Sequence, residues 1–95
     1  MKKSKEASVI LKVGSQTDLS HLKTSAYEHL RSEGIIIMDA IGEKSTYIAV
    51  RAICFVKRQI PENFTLKADP GFVQLDTPEG ERKGIRWTLT VEKAS

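Results

Sequence analysis

Ile35-Ile36-Ile37-Met38-Asp39-Ala40-Ile41-Gly42 is an apolar run holding a single charge and stopped by a glycine. Its β-branched, near-continuous character predicts a strand buried on both faces or nearly so. Val9-Ile10-Leu11-Lys12-Val13, closed by Gly14, predicts a similar strand upstream. Between them Leu19, Leu22, Ala26 and Leu30 recur at helical spacing, and Gly34 ends that helix. Ser15-x-x-Asp18 forms a candidate capping box, with Asp18 as the alternative N-cap.

Downstream of Gly42, Ser45 is the expected N-cap of a second helix that ends near Ile60, before Pro61. Ile48, Ala49, Val50, Ala52, Ile53, Phe55, Val56 and Ile60 spread over roughly 220° of its circumference. Lys44, Tyr47, Arg51, Cys54 and Arg58 form the narrower remaining stripe. One sheet cannot cover so wide an arc, which implies a second copy of the chain, with Ile48, Ala52, Phe55 and Ile60 at the dimer interface. Residues 64–68 read as extended, Asp69-Pro70-Gly71 as an interruption, 72–76 as extended again, and 77–84 as a polar hairpin tip. Ile85, Trp87, Leu89 and Val91 then alternate with Arg86, Thr88, Thr90 and Glu92, which points Trp87 inward. The order is βαβαββ. It predicts one α/β (α+β) domain over residues 9–92, a two-layer sandwich of a mixed sheet and two helices. A flexible basic tail at 1–8 and a short tail at 93–95 flank it.

The 95 residues suffice for one core. Hydrophobic content of 40% and charged content of 28% are those of a globular chain. The longest apolar run falls far short of the roughly 20 residues that span a bilayer, and no signal-peptide h-region follows the basic start. A cytoplasmic protein without a membrane role is expected. The net charge is +3, and Lys2, Lys3 and Lys5 against Glu6 hold most of it. Any nucleic-acid role must therefore rest on local clusters.

Catalytic signatures are missing. Cys54 stands alone among apolar sequence neighbours, which predicts a buried or half-buried, inert thiol and excludes a disulfide within the chain. His21 and His29 lie about 80° apart around their helix, without the spacing of a metal pair. Asp39, Glu43, Asp69 and Asp76 form no recognisable acid–base pair, and Ser15, Thr17 and Ser45 read as caps. No enzyme, cofactor or metal is expected.

Topology offers the one site with a physical rationale. If the first two strands are parallel neighbours, residues 14–18 and 42–45 bring two helix N-termini to one sheet edge, beside Lys44. Ordinary capping competes with anion binding there. Arg82 and Lys83, with nearby Arg86, mark the hairpin tip as a second basic element, partly cancelled by Glu79 and Glu81.

Ile10-Leu11-Lys12-Val13, Leu30-Arg31-x-x-Gly34, Ala40-Ile41-Gly42 and Ala49-Val50-Arg51-Ala52 resemble the stage V sporulation protein S family. Pro61, Leu66, Pro70, Phe72, Gly80-Glu81 and Val91-Glu92 extend the resemblance, which covers residues 9–92. It implies a small bacterial developmental regulator with an Alba-like, commonly dimeric nucleic-acid-binding fold. It also implies phosphate contacts at Ser15, Gln16 and Thr17, at Lys44, and at Arg82 and Lys83, and Ser45 joins them as the last residue of the 42–45 loop. Alba proteins often carry a lysine pair in the first loop, where this chain has Gln16-Thr17. Weak, largely sequence-independent binding of DNA or RNA by a homodimer or higher self-assembly is the expected function. A protein–protein regulatory or assembly module is the alternative.

Overall fold

Each strand and helix begins or stops where a glycine, a proline or a capping side chain requires it. In the computed structural model, which describes residues 6–94, β1 is Ile10–Val13, α1 Leu19–Glu33, β2 Ile35–Ala40, α2 Glu43–Gln59, β3 Phe64–Thr77 and β4 Gly80–Lys93. Asp18 caps α1, accepting from the N–H groups of Ser20 and His21, and Gly34 ends it in the left-handed conformation. The capping residue of α2 is Gly42 at φ 91, with no side-chain cap bond, so Ser45 is not the cap. The chain turns into this helix through a backbone conformation that a side chain would strain, and the helix therefore starts ahead of Ser45.

The four strands lie in the order β1-β2-β4-β3, with β1 parallel to β2 and the other pairs antiparallel. The order of elements is the βαβαββ that the periodicities predict. On one sheet face Ile36, Met38 and Ala40 stand opposite Leu89, Trp87 and Ile85, and Val13 of β1 is the neighbour of Ala40. These side chains join Leu22, Ala26 and Leu30 of α1 and Ala49, Ala52, Ile53 and Val56 of α2 in one core. Trp87 faces inward, 8% exposed. The helices cover this face alone, which leaves Ile35 and Ile37 half-buried on the other.

The hairpin differs from its sequence reading. β3 runs through Asp69-Pro70-Gly71 without a break, paired to β4 throughout. Pro70 is tolerated because β3 is an edge strand, with one side of its backbone unpaired. The tip shrinks to Pro78-Glu79, closed by Gly80 and by Thr77 Oγ1, which donates to the Gly80 carbonyl. Residues 73–77 and 80–84 pair only with each other, so the hairpin projects beyond β2 as a two-stranded arm. Gly84 marks the departure point: a Cβ there would lie 2.7 Å from the Ala40 carbonyl oxygen.

At the termini, residues 1–5 of the expected tail lie outside the described residues, as does Ser95. β4 continues to Lys93, and the Ala94 N–H donates to the Asn63 carbonyl. None of the described helices is long and apolar enough to cross a membrane.

Candidate nucleic-acid interface

Because β1 and β2 are parallel neighbours, the loops that follow them emerge at one end of the sheet. The first loop consumes much of its own hydrogen-bonding capacity. Thr17 Oγ1 accepts from the Gly14 N–H at 2.7 Å, and the Thr17 N–H donates to the Gly14 carbonyl. With Asp18 on the Ser20 and His21 N–H groups, the N-terminus of α1 is largely satisfied. The start of α2 is different. Thr46 donates its N–H and its hydroxyl to the Gly42 carbonyl, and no side chain caps the N–H groups ahead of it.

Between these loops and the base of the arm lies an open hollow of about 580 Å³. Its polar wall includes Lys12, Ser15, Ser45 and Arg82, and its apolar wall includes Ile41, Leu75 and Pro78. Three of the seven residues expected to bind nucleic acid, Ser15, Ser45 and Arg82, thus meet in one place. Gln16 and Thr17 in the first loop and Lys44 in the first turn of α2 border the hollow without lining it. Lys83 alternates with Arg82 to the other face of the arm, where its ammonium lies 5.0 Å from the Phe72 ring centre.

Sequence reasoning missed Lys12 and the pair formed by Asp39 and Arg86. Asp39 lies between Lys12 and Arg86 in one cross-strand row on the face away from the helices. Arg86 donates to both Asp39 oxygens, at 2.8 and 2.9 Å. That hydrogen bonding, added to by the carboxylate's charge and opposed by burial, holds the guanidinium above its ordinary pKa. Asp39 is 2% exposed, so Arg86 is committed to the fold and is not a third free cation of the arm. The available signal was the charge itself, since a lone aspartate in a buried strand needs a partner.

Apart from Val50, the wide apolar arc of α2 is covered wholly or in part from within the chain. Ala52 is fully buried and offers no surface to a second copy. Ile48, Phe55 and Ile60 are half-buried against the core, and Lys23 of α1 lies 5.0 Å from the Phe55 ring centre. The second partner of the helix is α1. Cys54 is exposed, contrary to its sequence surroundings, because adjacent helical residues point about 100° apart. The large apolar side chains left open near the arm are Tyr47, Val50 and Phe72, with half-buried Ile85 beside them.

Comparison with solved structures gives Alba from Thermoplasma volcanium, at a TM-score of 0.58 and 14% identity, over 88% of this chain and 99% of that one. The two share a fold. Sequence comparison with curated proteins gives no match. A family model described as Stage V sporulation protein S (SpoVS) matches residues 9–92, and with nearly every described residue inside that span, the chain belongs to the SpoVS family.

Proposed function

We propose that this SpoVS-family chain is a small, non-enzymatic, homodimeric regulator that holds DNA or RNA by its backbone phosphates, with little reading of bases. One observation carries the reading. Lys12 from β1, Lys44 from the uncapped start of α2 and Arg82 from the arm stand at the same sheet end, none of them in an ion pair among the described residues. Phosphate binding needs that combination of free cations and unspent backbone N–H groups, and needs no catalytic group. Ser15, Gln16 and Thr17 border the same surface. A projecting two-stranded ribbon is also a shape that lies along a nucleic-acid groove.

The exposed apolar side chains Tyr47, Val50 and Phe72 support self-association beside this surface. A dimer would double the phosphate contacts without a larger net charge on each chain. Tyr47, Val50 and Phe72 therefore take the interface role, in place of Ala52, with Ile48, Phe55 and Ile60 at most at its margin.

Fluorescence anisotropy with labelled duplex and single-stranded probes tests the reading. Lys44→Glu and the double variant Arg82→Glu/Lys83→Glu should weaken binding of all sequences alike. Arg31→Glu, at the far end of α1, should leave it unchanged. Wild-type affinity at physiological salt should fall in the range of about 10⁻⁶–10⁻⁴ M typical of non-specific contacts. Equal affinity of wild type and both reversal variants would remove the surface from consideration. Failure to bind at low salt would leave the protein–protein module as the better account.

A further inference from the structure

The hollow between the arm and α2 has walls, which a surface tracking a continuous backbone does not need. Ser45 is 3% exposed and lines this hollow, and its hydroxyl makes no hydrogen bond among the described residues. No buried polar side-chain atom among the described residues lacks a partner, so this unbonded hydroxyl opens to the hollow and can donate to a ligand oxygen in place of water. Lys12 and Arg82 line the same hollow without ion-pair partners among the described residues. Of the two carboxylates in the lining, Asp39 is held by Arg86 through both oxygens, and Asp76 is exposed to solvent. Ile41, Leu75 and Pro78 add apolar surface to the same open hollow.

We propose that this hollow binds one phosphate monoester carried on a nucleotide-sized group, a proposal that rests on the phosphate-binding reading of the same sheet end. The phosphate sits on Ser45, Lys12 and Arg82, and the attached ring lies against Ile41, Leu75 and Pro78. The open hollow of about 580 Å³ has room for such a ligand with one side left to solvent. Two cations match a monoester better than a diester, since a monoester carries about −1.5 to −2 charges at neutral pH. A free mononucleotide and the 5′-phosphorylated end of a strand offer this same chemistry.

Calorimetric titration with 5′-AMP, with adenosine, and with a short single-stranded oligonucleotide bearing or lacking a 5′-phosphate tests it. The phosphorylated member of a pair should bind at least about tenfold more tightly, as expected for charge-assisted hydrogen bonds. Preference for 5′-AMP over adenosine identifies free nucleotide as a ligand. Preference confined to the oligonucleotide pair identifies the strand end. Ser45→Ala and Arg82→Gln should each cost about tenfold in that affinity. Ser45→Ala should leave the unfolding midpoint unlowered, because its hydroxyl has no bond to lose. No phosphate preference in either pair, with duplex binding intact, would overturn the pocket and leave the wider surface standing. A monoester affinity unchanged by Ser45→Ala and Arg82→Gln would overturn it equally.

Discussion

Replacing Arg86 by leucine removes the two donors that hold Asp39 at 2.8 and 2.9 Å and leaves a carboxylate 2% exposed without a counter-charge. Breaking a buried pair from one side costs about 3–5 kcal/mol. The Arg86 side chain is 35% exposed, so water screens part of the interaction and the lower end, about 3 kcal/mol, applies. That is a large share of the roughly 5–15 kcal/mol that stabilises a domain of this kind. It should lower Tm by about 4–8 °C per kcal/mol. Asp39→Leu/Arg86→Leu should recover most of the loss, because the penalty belongs to the orphaned charge and not to the pair. Urea unfolding followed by Trp87 emission measures all three proteins on one scale. An Arg86→Leu variant within about 0.5 kcal/mol of wild type, the range of ordinary surface substitutions, would refute the reasoning. So would a double variant no more stable than the single one.

Trp87→Ala should cost about 3–5 kcal/mol, and native emission should be blue-shifted from that of free tryptophan; unshifted emission would place Trp87 on the wrong sheet face. Gly84→Ala puts a methyl group 2.7 Å from the Ala40 carbonyl oxygen, so it should destabilise by about 1–3 kcal/mol and displace the arm, while a fully stable variant would deny that close approach. Tyr47→Glu and Phe72→Glu should each convert a dimer to a folded monomer in equilibrium sedimentation, and a wild type already monomeric at high micromolar concentration would dispose of the dimer.

The fold was legible because its signals are local. The apolar run at 35–41, the helical spacing from Leu19 to Leu30 and the alternation around Trp87 each report which surface is covered, and together they order the elements. What stayed hidden depended on who covers whom. The apolar arc of α2 shows that two surfaces contact it, but periodicity cannot tell α1 of the same chain from a second copy. Cys54 was misplaced because sequence neighbours of a helical residue are not its spatial neighbours. Asp69-Pro70-Gly71 has the composition of a turn, yet the antiparallel pairing with β4 carries the strand through it. At the candidate site, Ser15 and Ser45 were found through loop topology, and Arg82 through the basic cluster at the hairpin tip and the family resemblance. Lys12 was not, because its role follows from the arm standing opposite β1, a long-range relation that no local pattern records.

The account turns on phosphate contact, and the dependence of nucleic-acid affinity on salt tests that most directly. On duplex DNA each contact contributes about −0.9 to the slope of log affinity against log salt concentration. Lys12, Lys44, Arg82 and Lys83 are the four cations of the proposed surface, including the arm's outer face. Full engagement would therefore give a slope near −3.6 per protomer, by about 0.9 each. Wild type should bind duplexes of unrelated sequence with one common slope, and Arg82→Glu/Lys83→Glu should reduce its magnitude by about 1.8 per protomer. A slope near zero, or one that the double variant leaves unchanged, would contradict the account.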